Sequence, residues 1–226
     1  MNGRQKTAVV LNILIFAFTV FATVSMIIGF YFMGEVKLLS SRNFHAFKYF
    51  TVDSNVFAGI ISLVYLVIKL SPSGRKSLNI SKVLYVLKLA AVTGVTLTMM
   101  VTVFFLAPRT TTTYFDYFKN SNFFMHFLTP VLCIISFVFF EPVEKASFPV
   151  SFAGIIPMVL YGFYYIPNVF LHLENGKPTH AYDWYGFLDG GMNTIWFVVP
   201  VVLLITWIFS VALWALNKKF AGKSGK

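Results

Sequence analysis

The sequence predicts an all-α, polytopic membrane protein built as a bundle of six transmembrane helices. Of the 226 residues, 58% are hydrophobic and only 12% are charged, whereas a soluble domain carries about 25% charged residues. The hydrophobic residues also fall into six long runs, each close to the ~20 residues that cross a ~30 Å hydrocarbon core. Because these runs are continuous rather than alternating, they predict helices and not the strands of a barrel.

Polar, turn-rich segments separate the predicted spans. Residues 71–76 follow the second span, Pro108 and Arg109 end the third, and Glu141 and Pro142 end the fourth. The longest loop begins at Glu174 and carries aromatic residues of the kind found at membrane interfaces. No repeat or soluble domain interrupts the pattern, so we expect a single transmembrane domain over residues 1–226. The predicted spans are 8–33, 50–69, 83–107, 122–140, 150–173 and 194–216.

Basic residues predict the orientation, because they concentrate in cytoplasmic loops. If the N-terminus is inside, the cytoplasmic segments hold the larger set: Arg4, Lys6, Lys69, Arg75, Lys76, Lys82, Lys145, Lys218, Lys219, Lys223 and Lys226. The outer segments hold the smaller set: Lys37, Arg42, Lys48, Arg109, Lys119 and Lys177. We therefore predict an N-in/C-in topology in the cell membrane, which would be the cytoplasmic membrane of a prokaryote.

The remaining composition narrows the class further. The net charge of +10 is accounted for by attraction to anionic membrane lipids, without nucleic acid. The first run is too long for a signal-peptide core and is read as a retained helix. Cys133 is the sole cysteine, which excludes an intramolecular disulfide and a cysteine-based metal cluster. We expect no metal and no organic cofactor. Lys88 lies within the third span, and we expect its amine to extend to the inner interface.

Strongly polar residues inside spans are costly and are therefore functional candidates. The six-span count places several of them near the outer side of the membrane. They are Thr51, Asp53, Ser54 and Asn55 in span two, His126 in span four, Asn168 and His172 in span five, and Asp189 and Asn193 at the start of span six. Tyr161 and Tyr165 share the face of span five that carries Asn168 and His172.

Helical spacing shows which of these side chains can face the bundle interior. Thr51, Ser54 and Asn55 share one face of span two, whereas Asp53 points elsewhere. On span four, His126 begins a stripe that continues through Thr129, Pro130 and Cys133. Pro130 has no N–H, so it frees the carbonyl of His126 from its helical hydrogen bond.

This pattern is consistent with nucleophilic catalysis. A threonine hydroxyl requires an adjacent base, and a histidine can take its proton and return it to the leaving group. Thr51 and His126 would fill these roles if spans two and four pack together. Asn55, Ser54 or a tyrosine could supply the oxyanion donors, and Asp53, Asp189 or His172 could orient the imidazole. The structural alternatives are capping or interhelical hydrogen bonding by Thr51 and helix packing by His126.

Two segments resemble a known family. Residues 47–51 (Phe-Lys-Tyr-Phe-Thr) resemble the lysine-aromatic-hydrophobic-threonine motif of the androgen-induced, FAR-17a-type membrane hydrolases. Met125 and His126, followed by an apolar-Thr-Pro stretch and then Glu141, resemble the catalytic histidine helix of that family. Residues 49–55 are closer still to six-span prokaryotic relatives of the group. The sequence departs from the animal members at Ser54 and Asn55, and it lacks a second histidine just before His126.

The resemblance implies an activity. Members of that family are six-span intramembrane threonine hydrolases that cleave fatty acid esters of hydroxy fatty acids, with the threonine as nucleophile and the histidine as base. Carried over, Thr51 is the nucleophile, His126 is the general base, and an acyl-threonyl intermediate forms. The partners would be a lipid or fatty-acyl ester substrate and membrane lipids. The alternative is a non-enzymatic lipid-binding or small-solute transport protein that uses the same polar cluster, although no inverted repeat favours a transporter.

Overall fold

The computed structural model describes residues 1–34, 43–109, 113–188 and 190–221. Over these residues the chain is helical and forms no β-strand. Six helices are long and apolar enough to cross a membrane, which confirms the predicted number of spans. We number them α1 (Gly3–Ile28), α2 (Phe50–Leu70), α3 (Lys82–Arg109), α4 (Ser121–Phe140), α5 (Phe148–Leu171) and α6 (Met192–Phe220).

The largest difference from the predicted boundaries is at α1, which lies five residues earlier in the chain at each end than the predicted span 8–33. The helix begins early because Asn2 and Gln5 form a capping box, in which each side chain accepts the backbone N–H of the other residue at 2.9 and 2.8 Å. It ends early because Gly29 adopts a left-handed conformation with φ of 70°. Hydropathy alone registers neither cap.

The helices run alternately up and down, so the bundle has two ends. We call the end where α2 begins the Thr51 end, and the end where α2 finishes the Lys69 end. At the Thr51 end, Met33 N–H donates to the Asn120 side chain at 2.6 Å, joining the segments that follow α1 and precede α4. At the Lys69 end, the Gln5 side chain donates to the Ser77 carbonyl at 2.8 Å.

Helix α3 lies at the centre of the bundle and is the most buried of the six, whereas α6 is the least buried. Helix α3 packs against α2, α4, α5 and α6, while α1 packs against α2 and α4. Small residues permit the close approaches. An ideal Cβ placed on Gly94 of α3 would lie 3.2 Å from Ser54 Cβ of α2, and one placed on Gly154 of α5 would lie 2.1 Å from Ser210 Oγ of α6. The bundle therefore brings α2, α3 and α4 together beneath the Thr51 end.

Candidate functional site

A cavity of about 170 Å³ lies at the Thr51 end of the bundle. Its walls include Thr51 from α2, His126 from α4 and Ser25 from α1, and the loop between α5 and α6 contributes Trp184 and Tyr185. Thr51 and His126, which lie far apart in sequence, therefore border one pocket. Their side chains are not joined through Nδ1 of His126, which has no hydrogen-bond partner among the described residues.

Thr51 lies in the first turn of α2 and is partly buried. Its backbone carbonyl is held by two side chains of the next turn. Ser54 Oγ donates to it at 3.1 Å and Asn55 Nδ2 donates to it at 2.8 Å. Because the first turn of a helix lacks part of its internal hydrogen bonding, these contacts fix the turn that presents Thr51 to the cavity.

His126 lies in a widened turn of α4. Residues Phe124–Leu128 are π-helical, and Thr129 N–H donates to the carbonyl of Phe124, five residues earlier. Pro130 follows at once and cannot donate a backbone hydrogen bond, which favours this irregular turn. Wide turns of this type are frequent at functional sites because they redirect side chains. The His126 side chain is only 4% exposed.

The two ring nitrogens of His126 have different surroundings. Nδ1 is buried and has no hydrogen-bond partner within the part of the chain that the structure describes. The backbone of Tyr117 lies beside the ring, on the side of Nε2. Nδ1 is therefore the nitrogen left to exchange a proton. Tyr117 was not among the residues expected to orient the imidazole, which were Asp53, Asp189 and His172.

Asn55 connects the two candidate residues. Its Nδ2 donates to the Thr51 carbonyl at 2.8 Å and to the Met125 carbonyl, next to His126, at 2.9 Å. The side chain is fully buried. Because both amide hydrogens are used by these carbonyls, Asn55 is a brace between α2 and α4 and has no hydrogen left for an oxyanion.

The loop between α5 and α6 folds over the cavity through aromatic contacts. Phe50 N–H donates to the Tyr185 hydroxyl at 2.9 Å, and Trp184 Nε1 donates to the Tyr161 hydroxyl at 2.9 Å. Tyr161 in turn donates to the Lys48 carbonyl at 2.6 Å, and the Lys48 amine lies 5.2 Å from the Trp184 ring centre. The loop is therefore attached to the segment that leads into α2.

The buried carboxylate of Asp183 also holds the loop between α5 and α6 in place. The residue is 1% exposed, and the carboxylate accepts a hydrogen bond from the Tyr165 hydroxyl. It also accepts from Phe187 N–H at 3.1 Å and Leu188 N–H at 2.8 Å.

Burial raises the pKa of the Tyr185 hydroxyl above its usual range, and nearby Tyr49 and Asp53 act in the same direction. Tyr185 thus remains a neutral hydroxyl at the cavity wall.

Several predicted site residues do not line this cavity. Ser54 packs away from it against Thr98, with their hydroxyls 3.3 Å apart, and Asp53 is partly exposed beside Tyr185. Tyr161 and Tyr165 do not line the cavity but hydrogen-bond to Trp184 and Asp183 of the loop that covers it. His172 is exposed and stacks on Tyr182 with ring centres 3.8 Å apart. Two further residues, Asn168 and Asn193, are outside the cavity wall, and Asp189 lies outside the described residues.

A second polar cluster, near the Lys69 end, was missed by sequence analysis. Lys88 is 3% exposed and forms an ion pair with Glu141 at 3.1 Å, so the expectation that its amine extends to the interface is wrong. Glu141 follows the last residue of α4, as expected, but its side chain is fully buried. The interior of the bundle supplies the partners that make burial of the ammonium tolerable: Asn12, Ser62 and Glu141. A charged residue within a span signals such a site, but the sequence does not reveal its partner.

The fold and the cavity together are compatible with a multi-pass membrane protein that carries, at one end, a mostly apolar pocket bordered by Thr51 and His126. No protein-family profile matches the chain, and comparisons with curated proteins and with solved structures find no match either. The chemistry of the site must therefore be argued from its own residues.

Proposed function

We propose that this protein is an intramembrane lipid hydrolase that cleaves fatty acid esters, such as the fatty acid esters of hydroxy fatty acids. Thr51 is the nucleophile and His126 is the general base. The observation that carries the proposal is that these two residues, from different helices, line one cavity. The Asn55 side chain bridges the backbone carbonyls of Thr51 and of Met125, the residue before His126. The resemblance of residues 47–51 and of the His126 helix to intramembrane threonine hydrolases supports the same assignment.

The reaction follows the general course of nucleophilic catalysis. Thr51 Oγ attacks the ester carbonyl carbon while His126 Nδ1 takes the hydroxyl proton. The tetrahedral intermediate collapses, the ester C–O bond breaks, and His126 returns the proton to the departing alcohol. Water then attacks the acyl-threonine while His126 takes its proton. The bond between the acyl carbon and Thr51 Oγ breaks, His126 returns the proton to Thr51 Oγ, and the fatty acid leaves.

The oxyanion formed in each step requires hydrogen-bond donors at the cavity wall. Because Asn55 is engaged with two carbonyls, we assign this role to the first turn of α4, where Ser121 and Asn122 both line the cavity. The Tyr185 hydroxyl, which also lines the cavity and is kept neutral by burial, is a further donor.

The size of the cavity limits what it can enclose. A cavity of about 150 Å³ is large enough for benzene, so about 170 Å³ accommodates the ester group and a few carbons. The acyl chains of a fatty acid ester would then extend out of the cavity into the surrounding lipid. We further propose the N-in/C-in topology in the cell membrane, which places Thr51 and His126 at the outer side and makes outer-leaflet lipids the accessible substrates.

Hydrolysis by the purified protein tests this function. We expect release of free fatty acid from a branched fatty-acid ester, with the activity abolished in Thr51→Ala and in His126→Ala. The matched controls are Thr7→Ala, at an exposed position of α1, and His180→Ala, at an exposed position of the loop before α6. Both controls should hydrolyse the ester at the wild-type rate.

Retained hydrolysis in both Thr51→Ala and His126→Ala would contradict the assignment. So would complete absence of turnover combined with tight co-purification of lipid, which is the behaviour of a lipid-binding protein. Circular dichroism of each variant shows whether the helical fold is intact, so that loss of activity can be assigned to the missing side chain.

A further inference from the structure

Buried polar side chains of α1, α2, α3 and α4 occur at intervals between the Thr51 end and the Lys69 end of the bundle. On α2, Asn55 and Ser62 are seven residues apart and therefore lie on the same face. On α4, His126, Thr129 and Ser136 follow one another at helical spacing. We call the whole set the polar seam; it comprises Asn12, Thr19, Asn55, Ser62, Lys88, His126, Thr129, Ser136 and Glu141, all of them buried.

Contacts join the polar seam across the helices at three levels. At the Thr51 end, Asn55 reaches the Met125 carbonyl beside His126. In the middle, Thr19 of α1 packs directly on α2, since an ideal Cβ on Gly59 would lie 2.7 Å from Thr19 Cγ2. Gly59 lies between Asn55 and Ser62, so Thr19 occupies the interval between the two polar positions of α2.

Near the Lys69 end, the polar seam closes around Glu141. Its Oε1 accepts hydrogen bonds from Asn12 Nδ2 at 2.8 Å and Ser136 Oγ at 2.6 Å, and lies 3.1 Å from Lys88 Nζ. Lys88 also donates to the Asn12 side chain and contacts Ser62 Oγ at 3.4 Å. Four helices thus contribute to one ion pair. Burial of such a pair in a membrane protein is costly, and intramembrane charges commonly mark ion or proton pathways.

Five atoms of the polar seam are buried and have no hydrogen-bond partner among the described residues. They are Thr19 Oγ1, Asn55 Oδ1, His126 Nδ1, Thr129 Oγ1 and Glu141 Oε2. Because buried polar groups in native proteins nearly always have a partner, atoms of this type are the usual sites of internal water. The five atoms are spread between His126 at the Thr51 end and Glu141 at the Lys69 end.

Each end of the polar seam meets a cavity. His126 borders the cavity of about 170 Å³ at the Thr51 end. At the Lys69 end there is a larger cavity of about 630 Å³, whose wall includes Tyr65 and Lys69. Lys88 Nζ lies 5.1 Å from the ring centre of Tyr65 and 3.1 Å from Glu141 Oε1. The Lys88–Glu141 pair is therefore the part of the polar seam next to the wall of this second cavity.

We propose that the polar seam conducts protons between the two ends of the bundle, with Glu141 as the group that binds the proton in transit. A proton from water in the Lys69-end cavity binds Glu141 Oε2. It then passes through water held by Thr19 and Thr129 to His126 Nδ1, and leaves from the cavity at the Thr51 end. The reverse direction uses the same groups, and no proton is gained or lost by the protein over a complete passage.

The charged and titratable groups around Glu141 fit a proton pathway better than a metal-ion pathway. Lys88 of α3 lies 3.1 Å from it, and the Tyr65 ring of α2 packs against the Lys88 amine. Lys69 of α2 and Cys133 of α4 are further titratable groups within electrostatic range of the carboxylate. Two neighbouring elements contribute non-titrating amides: Asn12 from α1 and Asn217 of α6, which donates to the Glu141 carbonyl. Tyr85 of α3 packs on Phe137 one turn away, and Arg4 of α1 donates to the Phe139 carbonyl. Because the Lys88 ammonium already occupies the cation position beside the carboxylate, a metal ion would be repelled, whereas a proton can bind the free oxygen.

Proton flux into vesicles tests the proposal. The full chain is reconstituted in liposomes of phosphatidylcholine and phosphatidylglycerol that enclose a pH-sensitive dye, and a potassium gradient with valinomycin makes the interior negative. We expect internal acidification faster than in protein-free liposomes. Glu141→Gln should reduce the rate to that of protein-free liposomes, and so should Thr129→Val, which keeps the side-chain shape but removes the hydroxyl. Glu174→Gln, at an exposed position of the loop before α6, should conduct as the wild type does.

A wild-type rate equal to that of protein-free liposomes overturns the proposal. Retention of the wild-type rate by a folded form of either Glu141→Gln or Thr129→Val also overturns it. If Glu141→Gln fails to fold because Lys88 is left without its partner, Thr129→Val decides. The assay contains no ester, so its result is independent of the proposed hydrolysis.

Discussion

At the scale of single residues, Asn55 connects the two halves of the candidate site through one amide group. Its Nδ2 is the donor shared by the Thr51 carbonyl and the Met125 carbonyl. Asn55→Ala would leave the Met125 carbonyl without this partner in the bundle interior, so we expect a loss of about 1–3 kcal/mol in the free energy of unfolding. Thermal unfolding in detergent should show a lower Tm, and hydrolysis should fall because α2 and α4 are no longer braced.

The control for this prediction is Asn193→Ala, which removes the same side chain from an exposed position at the start of α6 and should leave Tm unchanged. An Asn55→Ala variant with wild-type Tm would show that the brace is not needed to hold the two helices together.

Residue identities could be predicted from the sequence more readily than their partners. Thr51 and His126 are recognisable because a polar residue stands out in an apolar span, and both do line the cavity. The Tyr117 backbone contact and the Lys88–Glu141 pair could not be predicted, because each depends on how helices distant in sequence are rotated against one another. A short polar pattern within one helix carries no information on that rotation.

At the scale of elements, the centre of each helix follows from hydropathy, but its ends depend on local chemistry. Helix α1 ends at Gly29 because of a left-handed backbone conformation. Helix α4 contains one π-helical turn just before Pro130 and another at its C-terminal end. The sequence also placed Asn168, His172 and Asn193 with the site on the basis of depth. They do not line the cavity, because residues at one depth can still face different sides of a bundle.

Close contact between helices depends on Gly154 of α5. An ideal Cβ there would lie 2.1 Å from Ser210 Oγ and 2.7 Å from Thr93 Oγ1, both in neighbouring helices. Gly154→Ala should therefore separate α5 from α3 and α6 and lower the free energy of unfolding by about 1–3 kcal/mol, as overpacking does in tightly packed cores. Thermal unfolding in detergent measures the effect.

Gly162→Ala is the matched control in the same helix, since an ideal Cβ there comes no closer than 3.9 Å to a neighbouring side chain. This variant should unfold at or above the wild-type temperature, because alanine favours the helix over glycine. Equal destabilisation by both substitutions would contradict the account of the packing.

The loop that covers the cavity depends on the buried carboxylate of Asp183. Asp183→Ala removes the acceptor used by Tyr165, Phe187 and Leu188. We expect faster backbone hydrogen exchange and faster proteolysis within residues 172–188, with little change in the six helices. Glu174→Ala, at an exposed position of the same loop, should exchange as the wild type does. Unchanged exchange in Asp183→Ala would show that the aromatic contacts alone hold the loop.

At the scale of the whole molecule, α2 and α4 begin at the same end because a single helix, α3, separates them in an alternating bundle. This topology is what allows Thr51 and His126 to border one cavity. The orientation can be tested by labelling, because Cys133 is the sole cysteine and is buried. In a Cys133→Ala background, a membrane-impermeant maleimide applied to intact cells should label Glu174→Cys but should label Ser73→Cys only after permeabilisation. The opposite pattern would reverse the proposed orientation.

The central claim is that Thr51 is a nucleophile activated by His126, and covalent trapping tests it most directly. The purified protein is treated with a long-chain fluorophosphonate, and the modified peptide is identified by mass spectrometry. We predict a single phosphonylated residue, Thr51, with labelling lost in His126→Ala although that variant remains folded. Absence of any adduct on Thr51 in the folded wild-type protein, or equal labelling of Thr51 in His126→Ala, would contradict the account.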